Sequence, residues 1–148
     1  MKIGIVSDHK GYKLKNKIIS KLASKYEIIN YGPYDSKNID YPAMGSILGK
    51  KIANKEVDLG ICICGTGIGI SIVLNKFKTI RCALVHNKKE AMLAHQHNNA
   101  NCLAFKGSLS IKKAISIIEA YLNTSFSKEE RHIRRVNQIL EIENNNEY

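Results

Sequence analysis

No run of this chain approaches the about 18 consecutive apolar residues that a membrane-spanning helix needs. A secretory leader is also missing: Ile3, Ile5 and Val6 form an apolar run too short for a signal core, interrupted by Gly4 and Ser7. Both absences predict a soluble, cytoplasmic protein with no membrane partner. The four cysteines, Cys62, Cys64, Cys82 and Cys102, lack zinc spacing, because Cys62 and Cys64 stand as C-x-C rather than C-x-x-C. Alternate residues of a strand share a face, yet nothing in the sequence completes a tetrahedral set. All four cysteines lie inside apolar, strand-like runs, so reduced thiols in a reducing compartment are expected. Neither a repeat nor an interdomain linker is apparent, and 148 residues are read as one domain, residues 1–148, with a frayed tail over 143–148.

The charge is one-sided: 23 Lys and Arg against 13 Asp and Glu give a net +10. Such a balance fits a nucleic-acid partner. The lysines, however, are scattered over many helix faces instead of gathered in one tract, so no nucleic-acid partner is expected. An anionic small substrate suits the same charge without being identified by it.

What the chain does contain is an alternation of strands and helices. Lys2 to Ser7, Glu27 to Tyr31, Val57 to Cys64, Ile80 to Val85 and Asn101 to Phe105 read as strands. Between them lie helical stripes: Leu14, Ile18 and Leu22; Met44, Ile47, Leu48 and Ile52 after Pro42; a short apolar run after Gly69; and Asn87 to His97. Ser110 caps a further helix carrying Ile111, Ala114, Ile115, Ile118 and Leu122, and Ser127-Lys128-Glu129-Glu130 reads as a capping box opening a last helix with Ile133, Val136 and Leu140 on its apolar side. Strands separated by helices predict an α/β fold: a three-layer, doubly wound, five-stranded parallel sheet with an extra C-terminal helix. A flavodoxin-like order 2-1-3-4-5 is expected, in which winding reverses between strands one and three and ligands bind outside the carboxyl ends of those strands. Those ends carry Ser7-Asp8-His9 and Cys64-Gly65-Thr66-Gly67, the two segments richest in chemistry.

Cys64 is the last residue before the glycines. A thiol facing a helix start is favoured as its thiolate by the macrodipole; its plain alternative is a buried strand thiol. Gly65-Thr66-Gly67-Ile68-Gly69 is not a nucleotide fingerprint, since Ile70 stands where G-x-G-x-x-G needs its last glycine and no Gly-Lys-Ser/Thr follows. It is a tight turn whose amides can face an anion, or one that needs glycine for packing alone. Thr66 is placed to hydrogen-bond Cys64 or a substrate. Asp8 and His9 can cap the following helix or enter a site. His95 and His97 lie near a helix end favoured by the dipole, and as alternate helix residues they do not share a face, which argues against a metal site. Arg131 and Arg135, spaced i,i+4, can grip a phosphate; the plain alternative is a solvated basic face with Glu130 paired to Arg134.

Taken together, Ser7-Asp8-His9-x-Gly11, Asp40-Tyr41-Pro42, Cys64-Gly65-Thr66-Gly67-Ile68-Gly69, Gln96-His97-Asn98 and Arg131-x-x-x-Arg135 resemble the type B ribose-5-phosphate isomerases, a family that includes the galactose-6-phosphate isomerase subunits. The resemblance runs in order to about Leu140. It implies a metal-free, cofactor-free aldose–ketose isomerase acting on a phosphorylated sugar. Cys64 would be the base moving a proton between C1 and C2, with Thr66 assisting. Gly65, Gly67, Ile68 and Gly69 would form the substrate loop, the glycine amides facing the enediolate oxygen. His97, helped by Asp8, would open the furanose ring, Asn98 would contact sugar hydroxyls and Tyr41 would line the pocket. His9, Arg131 and Arg135 would hold the phosphate. The family's site lies between subunits, so the resemblance implies a homodimer with shared active sites, or a dimer of dimers. One departure stands out: Ser108 occupies the place where the family commonly has an arginine, and Lys106 nearby offers charge without a bidentate fork.

Two other readings differ in class or substrate. One is an isomerase of a six-carbon aldose 6-phosphate of galactose or allose type. The other is a non-catalytic anion- or nucleic-acid-binding module, motivated by the +10 charge.

Overall fold

The computed structural model describes residues 1–145 and realises the alternation as five strands and six helices. These are β1 (Lys2–Ser7), α1 (Tyr12–Leu22), β2 (Glu27–Asn30), α2 (Tyr41–Ala53), β3 (Leu59–Cys64), α3 (Ile68–Leu74), β4 (Cys82–Leu84), α4 (Lys88–Asn98), β5 (Cys102–Lys106), α5 (Ile111–Leu122) and α6 (Glu130–Asn145). Local signals set most boundaries. Pro42 sits in the first turn of α2, where its missing N–H costs nothing. Asn87 accepts from the Glu90 amide at 3.0 Å and Ser110 from the Lys113 amide at 3.3 Å, capping α4 and α5.

All strands run parallel, in the order β2-β1-β3-β5-β4. The period of two along each strand sends alternate residues to opposite faces. Ile3, Ile5, Ile61, Ile63, Leu103 and Phe105 pack under α1, α4 and α5. Val6, Cys62, Cys64, Cys82, Cys102 and Ala104 pack under α2 and α3. Helix α6 lies outside these layers against α4, with His132 and Val136 buried.

The reversal between β1 and β3 is as expected, but the outer pair is exchanged: β5, not β4, lies beside β3. Burial explains the exchange. Cys102, Leu103, Ala104 and Phe105 of β5 are inaccessible to solvent, whereas three-residue β4 keeps Ala83 and Leu84 partly exposed. Burying a large aliphatic or aromatic side chain is worth ~1.5–3 kcal/mol, so the more apolar strand takes the inner place.

The last helix also departs from expectation. It opens at Glu130 rather than Ser127, because Lys128 is left-handed at φ 55°. Ser127 therefore makes no capping box; its Oγ accepts from the Glu129 amide at 3.3 Å and hydrogen-bonds His132 Nδ1 at 2.6 Å. The apolar face is rotated as well, since Ile133 is exposed and His132 is buried in its stead. Of the tail expected to fray over 143–148, Glu143 to Asn145 belong to α6 and the Glu143 carboxylate accepts from the Thr79 amide at 2.8 Å. Residues 146–148 lie outside the described residues.

Candidate active site

The carboxyl ends of β1 and β3 are neighbours: Ser7 pairs with Ile63, and the Asp8 amide donates to the Ile63 carbonyl at 3.0 Å. Asp8 is buried and its carboxylate accepts twice, from the Gly11 amide at 2.9 Å and from the Gly65 amide at 3.3 Å. It thus caps the start of α1 and ties the glycine loop to β1. His9 Nδ1 pairs with the Ile39 carbonyl at 3.3 Å, anchoring the segment that leads to Tyr41. A Cβ on Gly69 would sit 2.6 Å from the Tyr41 ring, so the glycine lets that ring lie flat on the first turn of α3.

Cys64 is buried at the end of β3, and the Gly67 amide donates to its Sγ at 3.1 Å. Gly67 makes this possible with φ +82°, in the left-handed region, where a Cβ would also meet Leu84 Cδ1 at 2.7 Å. Thr66 Oγ1 accepts from the Ile68 amide at 3.2 Å instead of bonding Cys64, and the Thr66 side chain is exposed with its own O–H pointing to no acceptor among the described residues. The loop amides thus divide. Those of Gly65, Gly67 and Ile68 are engaged by Asp8, Cys64 and Thr66. Those of Thr66 and Gly69 meet no acceptor among the described residues and are free for an external oxygen. Lys106 faces Cys64 in register, and the Gly107 amide donates to the Cys64 carbonyl at 2.8 Å, so the turn carrying Ser108 borders this loop.

A second group forms where α4 ends and α6 begins. The His97 ring lies on the His132 ring, centroids 4.3 Å apart and planes tilted 32°. His132 is held by Ser127 Oγ, whose own amide donates to the Gln96 carbonyl at 3.0 Å. Burial, and then the neighbouring His97 and Arg131, push the His132 pKa below the usual histidine value. Arg131 Nε donates to Glu129 Oε2 at 2.8 Å, in place of the Glu130–Arg134 pair. Arg135, one turn on, meets no carboxylate among the described residues. His95 is turned away from His97: its ring stacks on Tyr121 at 4.7 Å and Nδ1 pairs with the Tyr121 carbonyl, so the two histidines diverge and cannot share a metal.

The structure does not bring the two groups together in one chain. Helix α4 returns antiparallel to the strands, so His97 and Asn98 stand just before β5, at the amino edge of the sheet. Cys64 stands at the carboxyl edge, a strand length or about 13 Å away along the sheet. A cleft of about 580 Å³ is also at the amino edge; Asn98, Arg81, Cys82 and Ile139 line it. Exposed apolar side chains accompany both groups: Tyr41, Ile68 and Ile72 beside the loop, Ile133, Ile139 and Ile142 on α6.

Two elements of the site escape sequence reasoning. His132 sits between the two arginines, and its burial depends on where α6 begins. Ser7, fully buried at the end of β1, has a hydroxyl with no partner among the described residues. The spacing from His132 to Val136, i,i+4, was the one signal for the former.

Comparison with known proteins now adds an independent line. Residues 3–139 match the family described as Ribose/Galactose Isomerase. The ribose-5-phosphate isomerase B of Escherichia coli K12 is 40% identical over 144 residues, covering 96% of each chain. The solved ribose-5-phosphate isomerase B of Clostridium thermocellum superposes with a TM-score of 0.93 at 41% identity, covering 97% of this chain and 98% of that one. The corresponding enzyme of Mycoplasma genitalium, solved with bound ribulose-5-phosphate, gives a TM-score of 0.92 at 37% identity, covering 97% of both. With the match spanning nearly all of its length, the chain belongs to the Ribose/Galactose Isomerase family.

Proposed function

We infer that this protein interconverts ribose 5-phosphate and ribulose 5-phosphate through an enediolate, with Cys64 as the base. The observation that carries the reading is the placement of Cys64: a buried thiol at the carboxyl edge of β3, beside loop amides with no internal acceptor, in a chain of this family. The steps follow from these groups. Cys64 takes the proton from C2 of the open-chain aldose, and the electron pair moves into the C1–C2 bond as the carbonyl oxygen becomes an oxyanion. The Thr66 and Gly69 amides and the free Thr66 O–H are placed to hold that oxygen. The O1 oxyanion takes the proton of the C2 hydroxyl, Cys64 returns its proton to C1, and the ketose carbonyl forms at C2. Every step is a proton transfer, which side chains alone can carry.

The remaining residues complete the site when a second copy supplies them. We propose a homodimer, or a dimer of such dimers, in which His97 of one protomer opens the furanose ring and Asn98 binds a sugar hydroxyl above the partner's loop. Arg131 and Arg135 then join His9 on the phosphate, and Tyr41 lines the pocket. Support comes from the separation of the two groups by the sheet and from the exposed apolar side chains around each. Asp8, with both carboxylate oxygens engaged by amides, positions the loop and His9 beside it. A phosphorylated intermediate as substrate fits a cytoplasmic location.

The test is conversion of ribose 5-phosphate by the wild type and by Cys64→Ala. The expected outcome is turnover that falls by about 10³-fold in the variant with substrate binding kept. Near-normal turnover in Cys64→Ala would remove the cysteine from its role, and turnover confined to six-carbon aldose 6-phosphates would change the substrate class.

A further inference from the structure

Three of the four cysteines take no part in the reading above, and the fold brings those three to one point. The exchange of β4 and β5 is responsible. Cys102 opens β5 beside β3 and pairs in register with Cys82 of β4 on its other side, while Cys62 lies two residues along β3 from Gly60, the partner of Cys102. All three side chains point to the α2/α3 face. Cys62 Sγ is 3.8 Å from Cys82 Sγ and 4.0 Å from Cys102 Sγ, and the three sulfur atoms lie within 4.8 Å of one another.

These spacings have a chemical meaning. Three thiolates bound at ~2.3 Å to one ion stand about 3.8 Å apart in a tetrahedral face and about 4.0 Å apart in a trigonal plane. The Sγ–Sγ separations of 3.8 and 4.0 Å about Cys62 need little adjustment to reach either. The backbone is shaped around the sulfurs: Gly60 leaves the space that Cys102 fills, since a Cβ there would be 2.9 Å from Cys102 Sγ. Cys82 is clamped through its backbone by Asn75, whose side chain accepts from the Cys82 amide at 2.8 Å and donates to the Cys82 carbonyl at 2.9 Å. Such outer support is what fixes a ligand before an ion arrives.

We propose that Cys62, Cys82 and Cys102 form a three-thiolate site for a soft, thiophilic cation, separate from Cys64 and reached through the cleft at the amino edge of the sheet. Cys82 is the gate: it lines that cleft and is the only one of the three with measurable exposure, 9% against 0% for the others. Ligand softness selects the ion, because an all-sulfur set with no carboxylate or imidazole suits Cu(I)-like and Cd(II)-like ions over hard cations. Charge balances locally. A divalent ion joining three thiols forms three metal–sulfur bonds, releases the thiol protons to water and leaves one net negative charge, beside Arg81, Lys76 and Lys78 on the cleft wall.

Cadmium alone is the probe, added to full-length Cys64→Ala protein so that the reaction-site thiol does not compete. The expected result is one bound ion per chain, thiolate-to-metal charge-transfer absorption, and three sulfur neighbours by X-ray absorption at the cadmium edge. Adding Cys82→Ser should remove the charge-transfer band and weaken binding by on the order of a hundredfold. A first shell of nitrogen or oxygen in Cys64→Ala, or unchanged affinity after Cys82→Ser, would overturn the site. The X-ray absorption measurement needs only the Cys64→Ala protein and decides the matter even if the double variant unfolds.

Discussion

His97 of α4 lies against His132 of α6, their ring centroids 4.3 Å apart and their planes tilted by 32°, and only His132 is buried. The pair joins the end of one helix to the start of another, so the outer ring is oriented by the inner one. The inner ring in turn is held by Ser127.

The charge of that inner ring makes stability depend on pH. Burial, with His97 and Arg131 adding to it, holds the His132 pKa below its unfolded value. The unfolded chain therefore binds more protons than the folded one, and stability falls as pH falls through the usual histidine range, near 6.5, toward the lower folded value. His132→Gln should remove that loss. Thermal midpoints measured from pH 7.5 down to 5 should converge on, and then cross in favour of, the variant; parallel curves would show that His132 does not titrate with folding. Its kcat should fall by about tenfold with KM little changed, as expected for a group that orients another.

Lys15 gives a stability effect of the same sign in a higher pH window. It is a fully buried lysine in α1, donating to Asn30 and Asn16, and burial lowers its pKa from 10.5 to about 8. Below pH 8 the folded protein bears the cost of a buried cation. Between about 8 and 10.5 the unfolded chain holds the extra proton, so stability rises with pH. Lys15→Met abolishes that rise. Denaturant unfolding should show the variant gaining on the wild type by ~1–3 kcal/mol at pH 7 relative to pH 10.5; a difference independent of pH would place the charge in water.

Arg131 and Arg135 share a face of α6 but not a state. Arg131 is already paired with Glu129, while Arg135 has no carboxylate partner among the described residues. Arg135→Ala should therefore raise the KM for ribose 5-phosphate by ten- to a hundredfold, with kcat changed far less, as for binding shared by ground and transition states. Arg131→Ala should cost less, because it also frees Glu129. Steady-state kinetics at constant ionic strength separates the two, and equal KM values in wild type and Arg135→Ala would take that residue off the phosphate.

Much of this was legible in the residues. The period-two runs and helix stripes mark every strand and helix, and the reversal between β1 and β3 puts Asp8 beside Cys64. What failed has physical causes. The order of β4 and β5 is decided by total burial, which two short apolar runs do not announce, and the sulfur cluster is a product of that order. The start of α6 turned on a left-handed Lys128, a conformation for which lysine carries no signal, and with it went the apolar face and His132. Spacing likewise showed Arg131 and Arg135 on one face but not that Glu129 occupies one of them.

The separation of Cys64 from His97 by the sheet leads to the last prediction. If each site draws its loop from one protomer and its His97 from the other, then Cys64→Ala and His97→Asn homodimers each lack one half of both sites. A mixed dimer carries one site with both defects and one site with neither, because the two sites are related by the dimer's two-fold axis. Unfolding and refolding the two inactive variants together, in equal amounts, yields mixed dimers as about half of the population. Activity should then return to about a quarter of the wild-type value per chain, with the wild-type KM. Refolding each variant alone is the control. No recovery, with mixed dimers demonstrated by differently tagged chains, would mean that each chain builds its site from its own residues.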